Sequence, residues 1–253
     1  MGLLSLIILA PLVAAVSLLL VPNRYRGAAR LVSLLGATVS LLGSIKVAFR
    51  YDLAVGGVQM REELALLPDL GIAAAVGGTG KAQFAVQTEH LLEASPGWDL
   101  VICAGAAGAL AEGLAVGDVA IATSTVEHDY GNCFNRRPLP RFDAAGDAVE
   151  SFRALRREDS SFEVHFGVVA SGDEDIVDAE RRGELRRRLQ AIAVAWEGAG
   201  GARACAFSGV PFVEIRGITD RADDRARADF RANLNIAMAN VASLLSLWAE
   251  TQR

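Results

Sequence analysis

Cysteine is scarce in this 253-residue chain and nowhere clustered: Cys103, Cys133 and Cys205 stand far apart, without CxxC spacing. That excludes a disulfide scaffold and a metal site of the usual spacing, and leaves three reduced, structural thiols. Acidic residues are absent before Asp52, where five basic ones stand (Arg24, Arg26, Arg30, Lys46 and Arg50). The net charge of -5 therefore understates how acidic the remainder is, and nucleic acid is excluded as a partner. Internal repeats and low-complexity segments are also missing.

What is plentiful is apolar surface: hydrophobic residues make up 52% of the chain, and the first fifty residues supply much of the excess. Leu3 to Pro22 is a run of twenty uncharged residues. At about 1.5 Å per helical residue it is long enough to cross a hydrocarbon layer of about 30 Å. After the basic connector Asn23 to Arg30, Leu31 to Phe49 is a second apolar stretch, interrupted only by Lys46, which lies near enough to its end to snorkel. The pattern predicts a transmembrane helical hairpin over residues 1–52 that meets membrane lipid through residues 3–49, a junction over 53–69 and a second domain over 70–253. A cleaved signal peptide competes for the first run, but that run exceeds an h-region, no basic n-region precedes it and a second span follows. Two core helices of a soluble domain are the remaining alternative. Arg24, Arg26 and Arg30 favour a cytoplasmic connector, which sends the second domain outside, while Arg50 and Arg61 pull the other way. A membrane location follows, on a side the charges do not select.

Beyond the junction the periodicity changes to short apolar strands alternating with amphipathic helices. Strands are expected at Gly71–Val76, Leu100–Ala104, Val119–Thr123, Glu163–Ala170 and Phe212–Ile218. Helices are expected at Ala82–Glu93, Ala179–Gln190, Gly198–Phe207 and Arg231–Trp248. This alternation implies a largely buried sheet with helices on both faces, an α/β fold in three layers. Gly77-Gly78-Thr79-Gly80-Lys81 is not a P-loop, because the four-residue spacing is missing and Ala82 stands where a hydroxyl is required. It reads instead as a tight turn that brings backbone close to a small ligand. The richest polar clusters are Trp196-Glu197-Gly198 and Arg216 to Asp223. An acid directly after an apolar strand sits at the carboxyl edge where α/β sheets gather ligands, and two carboxylates there can divide labour as acid and binder. A capping or surface carboxylate is the plainer alternative for each.

Val101–Asp118 (VICAGAAGALAEGLAVGD), Ser171-Gly172-Asp173, Val194–Ala199 (VAWEGA) and Val210–Asp223 (VPFVEIRGITDRAD) resemble, in order and spacing, the purine nucleoside phosphorylase and nucleosidase superfamily. The likeness is strongest to its 5'-methylthioadenosine/S-adenosylhomocysteine nucleosidases. It implies a three-layer α/β/α arrangement with a mixed central sheet, a homodimer and no cofactor or metal. It also implies a purine nucleoside substrate. Asp220 is then the general acid that protonates the purine as the N-glycosidic bond lengthens, and Glu197 grips the ribose hydroxyls. Asp220 must hold a proton near neutral pH, which needs desolvation or a neighbouring acid. Trp196 stands where the family commonly has Met beneath the sugar, though a plain core tryptophan fits equally. Gly78, Gly105, Ala106, Ile176, Arg216 and Thr219 complete the implied binding set. No arginine accompanies either glycine motif, as phosphorolytic relatives would have, so water is the expected nucleophile.

The chain departs from the family in several places. Gln59 to Leu64 resembles its Met-Glu-Glu-Glu motif, which makes Glu63 the water-activating base, yet only fourteen residues separate Glu63 from Gly78 and the family's β-hairpin is missing. Glu63 as an ordinary charge in the first turn of a short helix fits as well. Ala106 replaces a serine, and Asp175 stands where an aromatic residue commonly stacks on the base. His128 is expected to make a structural hydrogen bond. Residues 1–59 are similar to the opening spans of the antiporter-like M subunit of bacterial NADH:quinone oxidoreductase, without its later proton path. The expected activity is hydrolysis of methylthioadenosine or adenosylhomocysteine to adenine. A futalosine-type hydrolase and a non-catalytic fusion that binds nucleoside or only dimerises are the alternatives.

Overall fold

The computed structural model describes residues 3–19, 26–50, 64–67, 72–94, 97–131, 134, 137–157 and 161–252. Two compact units divide the chain, Met1–Ala75 and Val76–Arg253. Glu63 and the rest of its motif before Leu64 lie outside the described residues.

The first unit begins with helices α1 (Leu3–Leu19) and α2 (Arg26–Arg50). They meet through small residues: a Cβ added to Gly36 would stand 2.6 Å from Ala14 Cβ and 3.3 Å from the Ala10 carbonyl oxygen. Ser40 Oγ donates across the seam to the Ile7 carbonyl at 2.9 Å. Outward, Ile8, Leu12, Val13, Val16, Leu31, Leu34, Leu35 and Leu42 are exposed. Gly27–Lys46 is long and apolar enough to cross a membrane, with mean hydropathy 1.6, whereas the apolar run of the first helix is the shorter Ile7–Leu18. Strands β1 (Leu64–Leu67) and β2 (Ile72–Ala74) pair antiparallel.

The second unit runs α3 (Lys81–Ala94), β3 (Val101–Ala109), β4 (Val119–Glu127), β5 (Arg141–Asp143), α4 (Gly146–Arg153), β6 (Val164–Ser171), α5 (Ala179–Leu189), β7 (Ala191–Ala195), α6 (Gly198–Ser208), β8 (Phe212–Asp220) and α7 (Ala226–Thr251). It is a mixed α/β fold. Strand order is β5-β4-β6-β7-β3-β8, and β4 also pairs with β8, so five strands close into a ring. The expected mixed sheet is present, but it closes on itself instead of forming the middle of three layers. The reason lies in side-chain volume. All five ring strands send residues into one cluster of Ala107, Ala109, Ala120, Ala122, Val169, Ala193, Ala195 and Ile218, and so small an interior lets the sheet curl shut. The helices then lie outside: α4 and α7 cover Val119, Ile121, Val213 and Ile215, while Cys103 and Phe212 pack against Ala202 and Cys205 of α6.

Strand β7 (AIAVA) was not expected from pattern, because a short alanine run carries little strand signal. β3 continues through Gly-Ala-Ala-Gly to Ala109, and α7 starts five residues before the predicted Arg231. α7 also has the length and hydropathy of a span, but its Ala237, Val241 and Leu244 are buried, the last two against the barrel wall. It is a core helix.

Candidate active site

The glycines of β3 are dictated by the charges of β8. The two strands run parallel, pairing Gly105 with Arg216, Ala106 with Gly217, and Gly108 with Asp220. A Cβ on Gly105 would meet Arg216 Nη1 at 2.5 Å, and one on Gly108 would meet Asp220 Oδ1 at 2.8 Å. Any larger residue would displace one of the two functional groups.

Asp220 ends β8 almost fully buried, 7% exposed. Its Oδ1 accepts the Ala222 N–H at 2.9 Å and its Oδ2 accepts the Thr219 hydroxyl at 2.8 Å. Burial pushes its pKa above the usual carboxylate range, against those two hydrogen bonds, and the charges of Asp223 and Asp229 push the same way. Thr219 Oγ1 has a second acceptor in the Ala107 carbonyl at 3.3 Å. It can therefore serve Asp220 in either protonation state, donating to the carboxylate or turning to the carbonyl when the acid carries the proton.

Glu197 follows β7 at the start of α6. It occupies the N-cap position but makes no side-chain cap hydrogen bond, so capping does not account for it. The preceding corner is fixed by Ser171: its Oγ donates to the Trp196 carbonyl and accepts the Ala199 N–H, both at 2.9 Å. Trp196 itself is half-buried. Glu197 Oε2 lies 3.2 Å from Arg216 Nη1, and among the described residues its Oε1 has no partner. The same strand of β3, Gly105 to Gly108, thus runs between the acid of β8 and the acid after β7.

Arg216 is the hub. Its Nε donates to Glu214 Oε1 at 2.7 Å, its Nη1 to Glu197 and to the Ala106 carbonyl at 3.4 Å, and its Nη2 to Cys103 Sγ at 3.3 Å. Burial works against the guanidinium charge, but Cys103, Glu214 and Glu197 outweigh it and its pKa rises. Burial also pushes the Cys103 thiol up to about 12, so at neutral pH the sulfur is an uncharged acceptor and two carboxylates share one cation. Glu214, Thr125 and Cys103 were missed in the sequence. The only signal was an acid inside the apolar run Phe212–Ile218, two residues from Arg216 and hence on the same face of a strand.

The remaining expected residues sit close by or apart. Gly78 and Gly80 adopt φ of +83° and +80°, the turn that only glycine makes cheaply. The first N–H of α3, at Lys81, donates to Asp173 Oδ1 at 2.8 Å. Lys81 Nζ bonds Glu127 at 2.9 Å and also Asp129. Gly200 lets α6 begin against α3, since a Cβ there would lie 2.1 Å from the Lys81 carbonyl oxygen. Ile176 is buried with Leu110, Val194 and Ala222. His128 overturns its expectation: it is 3% exposed and neither ring nitrogen has a hydrogen-bond partner among the described residues. Its Nδ1 stands 3.6 Å from Glu174, and burial lowers its pKa, which keeps the ring neutral.

Residues 63–248 match the family model described as the phosphorylase superfamily. The chain belongs to that superfamily. This phosphorylase-superfamily chain is 35% identical over 169 residues to a 5'-methylthioadenosine/S-adenosylhomocysteine nucleosidase of Actinobacillus succinogenes, covering 63% of this chain and 72% of that one. An aminodeoxyfutalosine nucleosidase of Helicobacter pylori is 33% identical over 181 residues, covering 69% and 78%. Among solved structures, the Neisseria meningitidis 5'-methylthioadenosine/S-adenosylhomocysteine nucleosidase in complex with methylthio-immucillin-A superposes with TM-score 0.63 at 34% identity, over 71% of this chain and 80% of that one.

Proposed function

We propose that this superfamily member hydrolyses the N-glycosidic bond of a purine nucleoside, with 5'-methylthioadenosine or S-adenosylhomocysteine as substrate and adenine as the released base. The observation that carries the reading is the pair of acids flanking Gly105–Gly108: Asp220, buried with a raised pKa, and Glu197, oriented by Arg216 with one oxygen unpartnered among the described residues. Asp220 gives its proton to the purine ring as the bond to the sugar breaks, so the base leaves neutral. Glu197 accepts hydrogen bonds from the ribose hydroxyls, and Trp196 packs on the sugar. Water supplies the oxygen that completes the sugar product. Glu63 is assigned as the base that takes the water's proton. Arg216, Thr219, Gly105 and Ala106 hold and line the sugar and base positions, with Gly78 and Ile176 at the edges. The likeness to aminodeoxyfutalosine nucleosidases supports a second reading, in which the nucleoside carries a different 5' substituent.

Incubation of the purified chain with methylthioadenosine and detection of free adenine tests the reading. Turnover is expected, and none with either substrate class would leave the fusion that binds nucleoside without cleaving it.

Residues 1–52 are proposed as a lipid-embedded hairpin tethering residues 70–253 to a membrane. The hydroxyls support this: Ser17, Ser33, Thr38 and Ser44 each donate to the carbonyl four residues back, which leaves no hydroxyl of these four needing water. A homodimer is proposed for the second unit, where Phe134, Phe207 and Val86 stand exposed. Sedimentation of the chain with and without Phe207→Glu tests it, with dissociation to monomer expected.

A further inference from the structure

Glu214 is fully buried and has no part in the reaction as proposed, yet three elements are shaped around it. It shares a face of β8 with Arg216 and takes that residue's Nε at 2.7 Å. From β4, Thr125 Oγ1 donates to its Oε2 at 2.5 Å. From α6, Gly198 leaves room for it, since a Cβ there would lie 2.1 Å from Oε2. Arg216 thus holds Glu214 more closely than it holds Glu197, at 2.7 Å against 3.2 Å. One cation faces two carboxylates, and the trio carries a net negative charge beside Glu197 Oε1. Without Glu214 the whole guanidinium charge would fall on Glu197 and neutralise it.

A sugar that loses a purine passes through a cationic, oxocarbenium-like state, and a site gains rate only from what it binds more tightly in that state than in the ground state. We infer that Glu214 is a positioning residue that engages Arg216 so that Glu197 meets the sugar as an under-neutralised carboxylate, selecting the cationic sugar over the neutral nucleoside. The inference rests on the nucleosidase reading above.

The test compares two ligands on the full chain by calorimetry: methylthio-immucillin-A, whose sugar-ring nitrogen protonates, and methylthiotubercidin, whose sugar is uncharged. In the native chain the first is expected to bind more tightly. Glu214→Gln keeps the shape and removes the charge. It is expected to reduce that preference about tenfold or more, with methylthiotubercidin affinity changed less than about threefold. In turnover kcat should fall while KM holds. A folded Glu214→Gln chain with an unchanged preference overturns the inference alone. A native chain that binds neither ligand overturns the nucleosidase reading and this inference with it. If Glu214→Gln does not fold, Thr125→Val, which loosens the carboxylate without deleting it, should shift the preference in the same direction by about threefold, and Thr125→Ser should restore it. A native preference in Thr125→Val then overturns the inference.

Discussion

The helical pair α1–α2 and the barrel arrange their polar groups in opposite ways. In α1 and α2 each described hydroxyl is satisfied by backbone, four within their own helix and Ser40 across the seam, and the apolar side chains face outward. In the barrel the interior is filled mainly by alanines with Val169 and Ile218, and the polar groups of the second unit are charged and bonded to one another: Arg216 to Glu214 and Glu197, Lys81 to Glu127 and Asp129. Keeping polarity local in this way is what the proposed lipid setting would require, because lipid supplies no partner from outside. An enzyme interior can hold charge because neighbouring strands supply fixed counter-charges, and that charge is available for chemistry.

The comparison breaks most readily at Asp220. Asp220→Asn keeps the shape and the Thr219 contact but cannot give up a proton, so adenine release should drop about 10²- to 10⁴-fold with the fold intact by circular dichroism. Full activity would end the acid assignment. For the hairpin, Leu12→Arg with Leu35→Arg places charge on two exposed apolar positions. At about 2.5–3.5 kcal/mol each near a span's centre, the pair should move a reporter fused to residues 1–50 from the membrane to the soluble fraction. Native residues 1–50 that leave the reporter soluble would refute the tether.

Two smaller effects sharpen the contrast. The raised pKa of Asp220 has two consequences of definite sign. Activity falls as pH rises through that value, because the acid form is lost. Stability follows the same group: ionised Asp220 is disfavoured in the fold, so the native chain is penalised above the unfolded carboxylate pKa of about 4 and unpenalised below it. Asp220→Asn should therefore melt higher than the native chain at neutral pH, with the difference closing as pH falls toward 4. Coincident melting curves at both pH values would remove the desolvation argument. Smallest of all, Ser40→Ala deletes the interhelical bond to Ile7 and should cost about 0.6 kcal/mol, read as a small loss of hairpin stability in detergent.

Much of the candidate site was legible because its residues follow one another. Trp196-Glu197-Gly198 and Arg216 to Asp220 are contiguous, and an acid after a buried strand is a linear signal. The Glu214–Thr125–Cys103 surroundings of Arg216 were not legible, since they join residues up to 113 positions apart: Cys103 with Arg216 by a side-chain contact and with Glu214 by strand register, and Thr125 with Glu214 by a side-chain hydrogen bond. His128 misled for the same reason. Its sequence neighbours offer partners, but the fold turns its ring against Gly172, where a Cβ would stand 2.4 Å from Nε2.

By itself the sequence determined the two apolar stretches, the change of periodicity near residue 70 and which two acids to propose for the site, because length, hydropathy and motif spacing are properties of a linear chain. Tertiary structure decided that the sheet closes, that Gly105 and Gly108 exist to admit Arg216 and Asp220, and that Glu214 shares the cation with Glu197. Those outcomes depend on volumes and charges meeting across strands, and only packing brings such groups within reach of one another.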